Sequence, residues 1–224
     1  MAGKNYNVLL VTVGLIICSI LPYVWAGDTV DQILNGIHER YKSPGGLVLT
    51  YRREVKTKTM SMLGSRVKGD LASGKIYVLP PALLKVEQDK PRKEILLTDG
   101  QSLCWIIPEE KKVYQYSPKQ FGQELRIITD LWESPSRLRS RFHITIVKNE
   151  KRGRFVLKMV PLHPWDQVDR ILVHVSTDFA LNVLEMISPL GTTTTFYFDA
   201  IKPAQLTRKS FRFVVPEGFT VVHQ

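Results

Sequence analysis

Hydrophobic and polar positions along the chain recur with two different periods. Behind Asp28, a candidate N-cap, Val30, Ile33, Leu34 and Ile37 return at three- and four-residue spacing until Ser43-Pro44-Gly45-Gly46. That spacing predicts a helix over 29–41. From Leu47 the period drops to two. Short runs rich in β-branched and aromatic residues occupy 47–52, 66–79 (interrupted near Gly69-Asp70), 82–87, 94–98, 102–107 and 113–116. They resume over 142–148, 154–160, 168–176, 182–187, 192–199 and 210–215. Turn chemistry separates them, with Asp99-Gly100 the clearest hairpin signal and Asn149 to Gly153 a polar turn. The reading is about eleven strands with short connections, hence an antiparallel, meandering sheet.

One segment interrupts the β pattern. Between Pro118 and Pro135, Phe121, Leu125, Ile128, Leu131 and Trp132 recur at helical spacing, with Gln123, Glu124, Arg126 and Asp130 between them. This predicts an amphipathic helix inserted in the middle of the sheet. Several strands offer alternating large apolar residues: Phe142, Ile144 and Ile146; Phe155, Leu157 and Met159; Ile171, Val173 and Val175; Phe196 and Phe198. A strongly curved sheet would present them on a concave face. The helices then either plug that face as an ordinary core or cover it as a lid, and alternation alone fits both.

The first residues change how composition is read. Lys4 precedes the apolar run 8–21 and then Val24-Trp25-Ala26. That run is short for a bilayer, which needs roughly 20 residues, so the expectation is a signal peptide over 1–26, cleaved after Ala26, rather than an anchor. Ile17 before Cys18 argues against a lipid-attachment signal. Residues 27–224 then form one exported domain, without repeats or linkers. Of the two cysteines, Cys18 leaves with the signal and Cys104 stays alone. Its neighbours Leu103, Trp105 and Ile106 favour a buried, inert thiol over a reactive one. Lys and Arg number 31 against 21 Asp and Glu, a net +10. In an exported chain this excess does not point to nucleic acid.

Catalytic signatures are lacking: there is no His-Glu-x-x-His, Cys-x-x-Cys, Gly-x-Ser-x-Gly or phosphate-binding glycine loop. Ser65-Arg66-Val67-Lys68 matches a common four-residue pattern on an expected strand. The five histidines are scattered without metal-ligand spacing, so neither enzyme, metal nor cofactor is expected. The densest basic stretch runs from Arg137 to Arg154 and includes Arg139, Arg141, Lys151 and Arg152. Arg137, Arg139 and Arg141 alternate with Leu138, Ser140 and Phe142, so a strand would line them along one face. That face is either merely solvated or a docking patch for anionic head groups or an acidic partner.

Three motifs carry a resemblance. Val78-Leu79-Pro80-Pro81-Ala82-Leu83-Leu84-Lys85-Val86 is followed by Ile95-Leu96-Leu97-Thr98-Asp99-Gly100-Gln101-Ser102-Leu103 and Pro108. The chain closes on Phe211-x-Phe213-x-x-Pro216-x-Gly218-Phe219-x-Val221. In order and spacing these resemble the periplasmic outer-membrane lipoprotein carrier family, the LolA type, from about Tyr41 to Val222. The resemblance implies an incomplete, unclosed antiparallel β-barrel of about eleven strands with a helical lid. Its cavity would hold lipoprotein acyl chains crossing the periplasm, the alternatives being a half-barrel that binds a free lipid or glycolipid and an envelope sensor that binds a partner protein. The implied partners are an inner-membrane ABC-type lipoprotein exporter and an outer-membrane receptor or lipid surface, with the carrier a monomer. Ile76, Val78, Leu84 and Val86 would line the cavity with Phe142, Ile144, Ile146, Leu157, Met159, Phe196 and Phe198. Leu125, Ile128, Leu131 and Trp132 would form the greasy side of the lid.

The chain departs from that pattern in three places. Pro80 stands where the family carries an arginine thought to latch the lid, and proline has neither charge nor N–H. Leu84 and Val86 replace residues that are usually aromatic. Cys104 replaces a tryptophan, with Trp105 one place on and therefore on the other face of the strand.

Overall fold

A computed structural model of the chain describes residues 29–64, 67–98, 102–116, 123–150 and 154–223, with side chains outside 123–126, 133 and 148–150. The expected signal peptide over 1–26, Asp28, the Asp99-Gly100 turn, Phe121, Lys151, Arg152 and the side chain of Leu125 lie outside the described residues.

The chain enters helix α1 (Val30–Tyr41) at Thr29. Its hydroxyl accepts the Gln32 N–H while the Gln32 side chain accepts the Thr29 N–H. The cap is therefore Thr29 and not Asp28, because only Thr29 stands three places before a Gln that can reciprocate. Strand β1 (Leu47–Lys56) runs four residues further than its alternation suggested, because Arg53 interrupts the apolar parity without interrupting the backbone pairing. A short helix α2 (Lys58–Met62) follows. Next come β2 (Asp70–Leu79), β3 (Leu83–Lys90), β4 (Glu94–Thr98), β5 (Leu103–Ile107) and β6 (Lys112–Tyr116). Helices α3 (Gln123–Glu133) and α4 (Pro135–Arg141) separate these from β7 (Phe142–Glu150), β8 (Arg154–Pro161), β9 (Arg170–Ser176), β10 (Leu181–Ile187) and β11 (Thr193–Pro203). The last strand is β12 (Thr220–His223).

All twelve strands belong to one unclosed sheet in the order β12-β6-β5-β4-β3-β2-β1-β11-β10-β9-β8-β7. Strand β1 is the seam. On one side β2 to β6 form an antiparallel meander, and on the other β11 back to β7 form a second. The sheet is not wholly antiparallel, because β12 pairs parallel with β6. The expected strand at 210–215 is replaced by a 3-10 turn, Arg208–Phe211. There Phe211 packs with Leu83 and Leu97 in a small cluster that includes Leu206 and Phe213. Those aromatic residues satisfy themselves by lying on the sheet rather than by extending it.

The alternation at 137–141, which on a strand would line the arginines along one face, does not lie on a strand. These residues form α4, with Pro135 in its first turn and Leu138 buried. The segment contains no β-branched residue, and proline suits a first helical turn. The three arginines therefore do not line one strand face. Arg139 pairs with Asp31 of α1 at 2.6 Å, and Arg141 pairs with the buried Asp130 of α3. The Arg141 guanidinium also lies 5.2 Å from the Trp165 ring centroid. Two of these arginines thus bind the three helices to one another.

Connectivity decides where the helices go. Strand β6 lies near one edge of the sheet and β7 forms the other, so the chain between them must cross a face. A flat twelve-stranded sheet would be roughly 50 Å wide at about 4.8 Å per strand. Helices of 11 and 7 residues span only about 16 and 10 Å. Buried residues of β1 to β3 and of β7 to β11 pack into one cluster with α1, α3 and α4, so the sheet curls around the helices and the crossing lies on its concave side. Ile127, Ile128, Leu131 and Trp132 of α3 are buried in the same core as Ile33, Leu34 and Ile37 of α1.

The Asp130–Arg141 pair yields a test. Arg141→Ala leaves a carboxylate that is 6% exposed without its cation, a change that costs about 3 kcal/mol. Urea denaturation should show that loss. An unchanged midpoint would mean that Arg141 does not hold α3 to α4.

Candidate functional site

The inward parity of each strand can be followed across the sheet. Phe142, Ile144, Phe155, Leu157 and Met159 on β7 and β8 face the helices, as do Ile171, Val173 and Val175 on β9. Ile76, Val78 and Leu84 on β2 and β3 join them, each at most 1% exposed. These positions are sealed beneath α1, α3 and α4. Ile146 and Val86 are half-buried against the same core, and Phe196 and Phe198 stack on one another at its margin. Leu131 and Trp132 of α3 face into the core.

The seal does not extend over the whole face. Two described cavities remain on it. The larger, about 520 Å³, is bounded by Val55, Phe196, Met186, Val168 and Ile128, with Asp166, Pro189 and Leu190 at its mouth. The smaller, about 300 Å³, lies over β3 to β6 between Tyr51, Val86, Gln88, Glu94, Trp105 and Tyr116. They share two residues, Arg53 and Leu96. Among the residues expected to line a cavity, Val86 and Phe196 border these spaces, joined by Ile128 from the expected lid. Arg53, Leu96, Tyr51 and Trp105 were not anticipated.

Arg53 could have been noticed in the sequence. The inward positions of β1 read Leu47, Leu49, Tyr51, Arg53 and Val55, one cation in an apolar series. It stands opposite Phe196 on β11 and the small Ala72 on β2. Its Nε is buried and has no hydrogen-bond partner. The neighbouring carboxylates are committed elsewhere. Asp199 accepts from Arg52, and Glu54 pairs with Lys56 and accepts the Gly69 N–H. Glu94 accepts from Arg92 at 2.6 Å and from the Trp105 indole N–H at 3.0 Å.

Trp105 points into the smaller cavity, while Cys104 sits on the other parity opposite Leu97 and Gln115. The helical cover is tied down by polar contacts as well as packing. His38 Nδ1 lies 3.0 Å from the Trp132 carbonyl oxygen, and the Tyr41 hydroxyl accepts the Leu181 N–H at 3.0 Å. No helix among the described residues is long and apolar enough to cross a membrane, and no metal-binding cluster occurs among them.

Tyr51 reports on this environment. It is 2% exposed, and burial pushes its phenol up to about 12, an effect partly offset by the charge of Arg53. A raised phenol favours the protonated native form. The stability it contributes is complete below pH about 10 and is lost as pH rises towards 12. Absorbance titration of the phenolates should show one late tyrosine that Tyr51→Phe removes. If that variant loses stability over the same window as the wild type, Tyr51 does not titrate late.

Comparisons with known proteins agree with this architecture. The family model described as "Outer membrane lipoprotein carrier protein LolA" matches residues 62–214. No curated protein sequence matches the chain. An uncharacterized conserved protein from Thermus thermophilus shares the fold with a TM-score of 0.52 at 11% identity, covering 88% of this chain and 100% of its own. A LolA superfamily protein from Nitrosomonas europaea aligns at a TM-score of 0.47 and 14% identity, over 84% of this chain and 99% of its own. With the family model matching most of its length, the chain belongs to the outer membrane lipoprotein carrier protein LolA family.

Proposed function

We propose that this protein is an exported, periplasmic carrier that shelters acyl chains on its concave face and moves them between membranes. Cleavage of the signal peptide after Ala26 belongs to this reading. The observation that carries it is the pair of cavities joined at Arg53 and Leu96, of which the larger reaches Ile128 of α3. Each methylene exposed to water costs about 0.8 kcal/mol, so an acylated molecule needs shelter while it crosses an aqueous space. A carrier of this kind needs no catalyst. It needs apolar area that helices can cover when empty and yield when loaded.

The partners under this reading are lipoprotein acyl chains, an inner-membrane ABC-type exporter and an outer-membrane receptor or lipid surface. The carrier itself is a monomer. Val86, Phe196, Leu96 and Ile128 are the first contacts for cargo. The sealed positions Ile76, Val78, Leu84, Phe142, Ile144, Ile146, Leu157, Met159 and Phe198 would follow if α1, α3 and α4 lift. Leu190, 84% exposed at the mouth of the larger cavity, favours contact with a lipid surface, as do the exposed Met62 at the end of α2 and Leu63 just after it. Docking through Arg154, Lys151 and Arg152 is the companion proposal, with Arg137 on α4 at the opposite end of the β7–β8 hairpin as a separate contact. Arg139 and Arg141 belong to the same basic stretch and also hold the helices together.

Native mass spectrometry of protein purified from its own envelope checks both parts. Wild-type protein should retain an acylated molecule, and Leu96→Arg should remain folded and lose it. Leu84→Arg should unfold instead, because Leu84 is 1% exposed in the sealed core. Charge reversal at Arg137 and Arg154 should leave the bound mass unchanged and slow its release to anionic vesicles. An empty wild-type protein would overturn the carrier reading, and unaltered release would overturn the docking surface.

A further inference from the structure

We infer that Arg53 is an anion-binding subsite inside the cavity, so that the cargo is an acyl amphiphile with an acidic group, a carboxylate or a phosphate. This rests on the reading of an acyl-chain carrier and favours a free acidic lipid over a lipoprotein, whose acyl anchor of esters and an amide has no acidic group. Arg53 is the residue at which the two cavities meet, with Leu96 facing it from β4. One end of a ligand held there would contact a cation, and its chain would run along Phe196, Met186 and Ile128.

The energetic case begins with the free protein. An arginine remains charged at every accessible pH, and its planar fork matches carboxylate and phosphate oxygens. A cation whose Nε is buried without a partner is costly to keep in an apolar wall. A leucine at this position would continue the series Leu47, Leu49, Tyr51 and Val55 at no such cost. The charge is therefore unspent in the empty protein and available to a ligand.

Nearby groups do not cancel it. Glu94, the carboxylate of the smaller cavity, is held at both oxygens by Arg92 and Trp105. Asp166 is exposed at the far mouth of the larger cavity. Gln88, 8% exposed, donates to the Arg92 carbonyl oxygen and borders the same space as Arg53. The resulting chemistry is one fixed positive charge set among aromatic and aliphatic walls.

Delipidated full-length mature protein can be tested with palmitate against hexadecanol, and with dipalmitoyl phosphatidate against dipalmitoylglycerol. Each is scored by displacement of a fluorescent fatty-acyl probe. The wild type should prefer the acidic member of at least one pair by about tenfold or more, and the pair that discriminates identifies carboxylate or phosphate. Arg53→Gln should abolish the preference while retaining the neutral member, and Arg53→Lys should restore part of it. Arg53→Leu should melt at a higher temperature than the empty wild type, since it removes a half-buried cation whose Nε is buried without a partner. Equal binding of acidic and neutral amphiphiles by the wild type, or a preference that survives in Arg53→Gln, would overturn the subsite alone. A lower melting temperature for Arg53→Leu would assign the guanidinium to the fold and also overturn it. If no amphiphile displaces the probe from the wild type, the carrier reading fails together with this inference.

Discussion

The structure depends on one crossing. The chain leaves β6 near one edge of a twelve-stranded sheet and must start β7 at the opposite edge. Its route lies over the concave face, and the residues that make the crossing are α3 and α4. Because β6 and β7 anchor both ends, this cover is part of the sheet's own connectivity. Helix α1 adds a second layer of support through the Tyr41–Trp132 edge contact and the Arg139–Asp31 pair. The helices are too short to cover everything. They seal β7 to β9 and the lower half of β1 to β3, and leave open the region around Arg53 and Leu96.

That division explains why the cavity and the core coexist on one face. Positions beneath the helices behave as an ordinary core, where a leucine touches many neighbours and dispersion adds up. Positions towards β4 to β6 have aromatic walls without a roof, including Trp105 and Tyr114 at a ring separation of 5.5 Å. The polar groups in this region are organised, not stray: Trp105, Arg92 and Glu94 hold one another, and Gln88 is held by a backbone carbonyl. Arg53 is the member of the group that the fold leaves unsatisfied at Nε.

Much of the fold was legible because strand alternation is a local signal. The bounds of β4 match the period-two run at 94–98, and the middle helix emerged from its own spacing. What was hidden depends on distant partners. The tail at 210–215 has the composition of a strand, yet Phe211 finds Leu83 and Leu97, more than a hundred residues earlier, and packs flat on them. Residues 137–141 alternate like a strand, but Pro135 and the absence of β-branched residues favour the helix, and Asp31 and Asp130 then engage its arginines. The cavity residues were half legible. Alternation identifies the inward face of each strand, but which inward positions lie beneath a helix depends on where the crossing runs. Sequence periodicity carries no information about that path. Arg53 was visible as a break in parity, and its meaning came only from finding two cavities on either side of it.

The central claim is that acyl chains occupy the inward side of the sheet at Leu96. Photocrosslinking from inside the cell envelope tests it most directly, with a benzophenone amino acid placed at position 96 or at position 104 on the opposite face. The account predicts an acylated adduct from position 96 and none from position 104. Equal labelling from both positions, or an adduct only from position 104, would contradict it.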